Sequence, residues 1–224
     1  MCFSATASFA VAAVLVPAGA YCVSTASQIG ARWMPLAVYP VVFSIQQAVE
    51  GVVWLGIDSG NQAVVYGASR GFVFFSHFFW LAWVPFSMFC LADIQWRRRL
   101  LLGMSAAGAF FGLTTILPIY LLTDWLSVEL VEHSIEYKAV MIYDGVFSRQ
   151  TLRGAYGFII LSSLFLAPNW WIRFFGGLIA VSLLGTSVFF SHTLISVWCF
   201  FAAVISASIV VVLAIEHRCA RIAA

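Results

Sequence analysis

Apolar residues run through this chain in long blocks separated by short polar seams. Seven blocks fall at 5–26, 34–57, 71–92, 100–122, 152–168, 171–190 and 192–215. Each has roughly the 15 to 25 residues that a helix needs to cross a bilayer core. The fifth, within GAYGFIILSSLFLAP, is the shortest. Prolines 17, 40, 85 and 118 lie inside or near the ends of these blocks, where membrane helices accept them as kinks. The pattern predicts an all-α integral membrane protein, a seven-transmembrane-helix bundle forming a single domain over 1–224. The one long polar connection, at about 123–151, is expected to lie outside the membrane as a lid packed on the bundle. Its HSIEYKAVMIY stretch alternates only in part, which leaves both a hairpin and a surface helix open.

Polar residues inside the apolar blocks carry the next layer of information. In the second block Phe43, Gln47, Glu50, Trp54 and Ile57 recur at helical spacing and share one face. A charged residue at a helix centre costs on the order of 3 kcal/mol on insertion scales, so this face is expected to look into the bundle. In the last block His192, Ser196, Cys199, Ala203 and Ser206 repeat in the same way. Their small side chains mark an interior seam where helices approach closely. GAFFG at 108–112 is a GxxxG pattern, expected to seat another helix of the same chain, with a second subunit as the alternative.

Charge orients the bundle. An N-terminus outside places seven of the 11 lysines and arginines on the cytoplasmic side, including the cluster Arg97-Arg98-Arg99. The positive-inside rule thus predicts an N-out, C-in arrangement in a cell membrane. The first block lacks a basic leader and is read as a retained helix, not a cleaved signal. Composition agrees with a lipid environment: 63% hydrophobic residues, 9% charged, and mean hydropathy +1.00. The net charge of +2 and its one basic cluster do not suggest a nucleic-acid partner. The five cysteines show no CxxC or zinc-finger spacing, which argues against a disulfide framework.

This topology brings candidate chemistry to the outer half of the bundle. Glu50 lies about 10 Å below the outer end of its helix at 1.5 Å per residue. Ser76 and His77 are expected one and a half turns below the surface, and His192 tops the last helix. Cys2 and Ser4 begin on the same side; loss of the initiator methionine would give Cys2 a free amine beside its thiol. His133, Glu136 or Tyr137 of the long connection can reach the site from above. Glu50, His77 and His192 form a donor set that zinc or iron accepts, and two opposed histidines can hold a haem. The competing reading is a buried hydrogen-bond network of Glu50 with Gln46, Gln47 and Ser4, tryptophans beside it, that holds the helices in register.

The strings MCFSATASF, QQAVEGVVW and SVWCFFAA resemble an uncharacterised family of prokaryotic multi-pass membrane proteins that open with MCFSA. That resemblance implies a membrane fold and transfers no activity. Retinal proteins are a poor fit, since the only lysine is Lys138 in the long connection. Ceramidase-like zinc hydrolases are similar in helix count but carry paired histidines in the last helix, where this chain has His192 alone.

Two functional expectations follow. One is a membrane-embedded metal or haem protein acting on a lipid or small molecule from the outer face, with Glu50 as catalytic base or ligand. The other is a non-catalytic protein: a small-ligand sensor, a permeation pathway, or an accessory subunit of a larger complex. Homo-oligomerisation is compatible with either.

Overall fold

A computed structural model describes residues 4–122, 124–131 and 133–223. Helices α1 (Ala5–Ile29), α2 (Met34–Ala37), α3 (Tyr39–Asp58), α4 (Gln62–Phe74), α5 (Trp80–Leu91) and α6 (Gln95–Leu121) come first. A hairpin of β1 (Leu126–Val131) and β2 (Ser134–Ala139) follows, then α7 (Arg149–Phe165), α8 (Trp170–Phe189), α9 (Leu194–Ser206) and α10 (Ile209–Ala223). Among the described residues six stretches are long and apolar enough to cross a membrane: Ala5–Ile29, Ala31–Asp58, Gln62–Leu91, Gln95–Leu121, Trp170–Phe189 and Leu194–Ile222. The remaining expected span is α7, whose 17 residues open with Arg149 and Arg153 and so leave a shorter apolar run.

Local chemistry sets the helix starts. Ser4 caps α1 by accepting from the Ala7 amide, Asn61 caps α4, Ser148 caps α7 and Asn169 caps α8, each satisfying an amide that has no partner within its helix. The third span begins at Gln62, nine residues before the expected 71, after the Asn61 cap, and the one charged residue of its early turns is anchored on neighbours. Arg70 donates to the carbonyls of Ile119 and Tyr120 at 2.9 and 3.4 Å and lies over the Tyr66 and Tyr120 rings. That earlier start puts His77 some 22 Å along the helix axis from Gln62, near mid-span and deeper than the expected turn and a half.

Between α4 and α5 the chain widens into a single π-helical turn, Phe75–Phe79. The GxxxG pair of α6 seats against this region within the same chain. A Cβ on Gly112 would lie 2.7 Å from the His77 carbonyl oxygen, and one on Gly108 would lie 2.2 Å from that of Leu81. Pro85 has no N–H to donate to the Leu81 carbonyl four residues earlier, so the glycine face of α6 closes over a carbonyl freed from its own helix. Ser105 adds a hydrogen bond to the Ala82 carbonyl at 2.8 Å.

The ends of the bundle are distinct. The start of α1 packs on the end of α3, with Phe9 against Gly51. The hairpin packs on the same end, burying Leu126, Ile135, Tyr137 and Ala139 against α4 and α9. Buried Ile135, Tyr137 and Ala139 face the bundle while Lys138 is exposed, a period-two pattern that selects strand over surface helix. Arg97, Arg98 and Arg99 begin α6 and the hairpin follows its end, so cluster and hairpin lie roughly 40 Å apart at opposite ends of the 27-residue helix. Exposed Val14, Val16, Phe110, Phe158, Val181 and Val188 give the outside of the helices an apolar surface suited to lipid.

Candidate functional site

The polar residues of the second span turn inward. Phe43, Gln47, Glu50 and Trp54 are all buried. Glu50 accepts hydrogen bonds from the Ser196 hydroxyl at 2.5 Å and from the Gln47 amide at 3.1 Å. Gln46, on the adjoining side of α3, accepts from the Trp80 indole at 2.7 Å. The seam of α9 is buried as its spacing requires: Ser196, Cys199, Ala203 and Ser206 are all below 6% exposed. Together these groups tie α3 to α5 and α9 through hydrogen bonds in an otherwise apolar interior.

His77 belongs to a different constellation. Its Nδ1 lies 2.9 Å from the Ser76 hydroxyl, while Nε2 is buried without a hydrogen-bond partner. Of the other buried polar side-chain atoms without a partner, two belong to residues around the same space: the Tyr137 hydroxyl of β2 and the Trp198 Nε1 of α9. All three residues, each no more than 7% exposed, line one cavity of about 70 Å³ beneath the hairpin. Its wall also includes Thr115 of α6, Cys199 of α9, and Arg149 and Arg153 of the first turns of α7. A buried donor or acceptor with no partner costs roughly 1–3 kcal/mol, and buried polar groups in native proteins are almost always satisfied by protein, water or ligand. The three residues that carry these orphan atoms thus surround one space whose wall is otherwise largely apolar, with Leu81, Phe111, Leu152 and Leu194 among its lining. The π turn that carries His77 is a rare irregularity found often at functional sites.

The arginines differ. Arg149 donates to the Ala139 carbonyl at 2.8 Å and pairs with Asp144 at 2.7 Å, pinning the segment after β2. Arg153 donates to the Ser191 carbonyl at 3.0 Å and has no carboxylate within ion-pair distance among the described residues. Tyr137 stacks on Phe72 with ring centroids 4.5 Å apart. Burial, with the charges of Glu50 and Cys199 nearby, pushes its phenol well above the ordinary value of 10.0.

Several expected site residues lie elsewhere. His192 falls in the bend before α9, which begins at Leu194, and is exposed; it extends the seam by spacing but not in space. Glu50 and His77 share no hydrogen bond, since Glu50 is occupied by Gln47 and Ser196. Among the described residues no three His, Cys, Asp or Glu side chains are placed to hold a metal ion, so the Glu50–His77–His192 ligand set does not assemble. His133 occupies the hairpin turn at φ 65° with its side chain exposed. Glu136 is largely covered, its side chain 16% exposed, and pairs with Lys138 at 3.6 Å, so of the three expected hairpin residues Tyr137 is the one that lines the cavity. Ser4 serves as the α1 cap, Trp54 packs in the apolar cluster under the hairpin, and Ser76 lines the cavity. Cys2 lies outside the described residues. Sequence reasoning missed Trp198, Arg149 and Arg153 as lining groups. The i, i+4 spacing of the two arginines, which puts both on one helix face, was the available signal.

A family model matches the whole chain, residues 1–224: DUF6629, a family of unknown function. No curated protein and no solved structure matches.

Proposed function

The chain belongs to DUF6629, a family of unknown function, and from that premise we propose that it is a multi-pass membrane protein that binds a small ligand in the chamber beneath its hairpin. The observation that carries this reading is that three residues with a buried, unpartnered polar atom line one cavity: His77 with its Nε2, Tyr137 with its Oη and Trp198 with its Nε1. A tyrosine hydroxyl can donate or accept, an indole N–H only donates, and a neutral imidazole does one or the other. Such a set recognises a ligand head that carries oxygen acceptors. The hairpin is the roof of the chamber, and Glu50 with Gln47 and Ser196 forms the structural network beside it.

In this proposal α7 completes seven crossings. It runs from the hairpin end, where Arg153 meets Ser191 after α8, to the opposite end, where Asn169 bonds Glu216 of α10. Its 17 residues are at the lower limit for a span. The triple arginine then faces the cytoplasm, and the chamber opens to the outer leaflet of a cell membrane. Native mass spectrometry of the protein released from its own membrane in mild detergent tests the reading. An adduct of defined mass is expected on the wild type, reduced in Tyr137→Phe and in His77→Ala at unchanged elution volume. Absence of any adduct, or one indifferent to both substitutions, would refute it.

A further inference from the structure

Resting on that reading of the chamber, we infer that its ligand is an anionic amphiphile with a single hydrocarbon chain, head beneath the hairpin and chain running down among α3, α5, α7, α8 and α9. The chamber does not stand alone. A second cavity of about 40 Å³ adjoins it, and the two share Tyr156, Trp198 and Cys199 in their walls. Its other lining residues include Phe43, Ile160, Leu164, Phe175, Ile179 and Ala202. Beyond the shared Tyr156, Trp198 and Cys199, the polar groups it borders are already used: the Tyr39 hydroxyl bonds Ser87 at 2.5 Å, and the Trp80 indole bonds Gln46. One compartment thus holds unpartnered polar groups, while its neighbour offers almost none and suits hydrocarbon.

Position along the helices gives this pair a direction. Arg149 and Arg153 open α7, whereas Ile160 and Leu164 lie two to four turns further on, so the apolar compartment runs from the headgroup end toward the far side of the bundle. That is the orientation of a lipid in the leaflet: head at the interface, chain inward. Charge selects an anion. Two arginines and no acid line the polar compartment, and Arg153 keeps its charge without an ion pair among the described residues. An arginine fork matches a carboxylate or phosphate through parallel hydrogen bonds. The narrowness of the apolar compartment favours one chain over two.

The test uses the full chain in phosphatidylcholine nanodiscs, with radiolabelled dodecanoate as probe and acetate, octanoate, dodecyl phosphate and dodecanol as competitors. Dodecanoate is expected to bind saturably, with octanoate weaker by roughly fourfold per missing methylene. Dodecyl phosphate should compete, acetate should not, and dodecanol should be at least tenfold weaker than dodecanoate. Arg153→Gln should cost at least tenfold for dodecanoate and leave dodecanol unchanged, with Arg153→Lys restoring part of the loss through its charge without the fork. That lysine variant, and elution of each variant at the wild-type volume, separate lost recognition from misfolding. Ala202→Phe, which fills the apolar compartment, should abolish the dependence on chain length. If acetate competes as well as dodecanoate, or chain length has no effect, the chamber binds a ligand and the amphiphile is wrong. If dodecanol equals dodecanoate and Arg153→Gln changes neither, the anionic head is wrong. If no probe saturates, this inference is overturned; an adduct still lost in the His77 and Tyr137 variants would leave the chamber reading standing.

Discussion

Gly108→Ala tests the close approach of α6 to α5. The new Cβ would lie 2.2 Å from the Leu81 carbonyl oxygen and 2.8 Å from its carbon. Both are backbone atoms, so no side-chain rotation relieves the clash. The helices must part by about 1.2 Å to restore ordinary contact, thinning the dispersion contacts along the whole seam. Overpacking of this kind costs about 1–3 kcal/mol, set against a gain of about 1 kcal/mol for alanine over glycine within a helix. Gly103 provides the control on the same helix, since a Cβ there meets nothing within 4 Å. Equilibrium unfolding in mixed detergent micelles, followed by circular dichroism, should show Gly108→Ala destabilised by up to about 2 kcal/mol. Gly103→Ala should be unchanged or stabilised by up to about 1 kcal/mol. Equal stabilities for the two variants would show that the seam does not depend on the missing side chain.

The remaining predictions concern the polar interior and the orientation. Ser196→Ala should destabilise by about 1–3 kcal/mol, because it strands a Glu50 oxygen, whereas Glu50→Gln should stay within about 1 kcal/mol, since a turn of the Gln47 amide would present its unpartnered oxygen to the new NH2; an equal loss in both would contradict the network drawn here. The Tyr137 phenol, held above its ordinary 10.0 by burial and neighbouring charge, should contribute stability that is intact below about pH 10 and declines as pH rises further and the unfolded chain ionises. Tyr137→Phe should flatten that alkaline slope, and an unchanged slope would mean that Tyr137 is not its source. On the proposed topology, a cysteine introduced at exposed Val146 should react with an impermeant maleimide added outside intact cells, while one at Arg98 should react only after permeabilisation; the reverse result would invert the bundle.

The sequence carried information that is local in the chain. The apolar blocks marked the helices within a few residues at most boundaries. Helical periodicity told which faces of α3 and α9 turn inward, because 3.6 residues per turn fixes neighbours on a face without reference to the rest of the fold. The glycines of α6 likewise announced a close approach before its partner was known. Tertiary structure decided how each helix is rotated and how deep its residues sit. Only pairing with the carbonyls of Ile119 and Tyr120 allows Arg70 to lie inside a span, so the start of α4 and the depth of His77 could not be read from hydropathy. His192 matches the seam of α9 by spacing and is exposed, because the helix begins two residues later. Above all, Glu50 found its partners in Gln47 and Ser196, while His77 faced a space closed by Tyr137, Trp198 and the arginines of α7. Those groups come from four separated segments, and what brings such segments to one point is packing across the whole bundle, which no local pattern encodes.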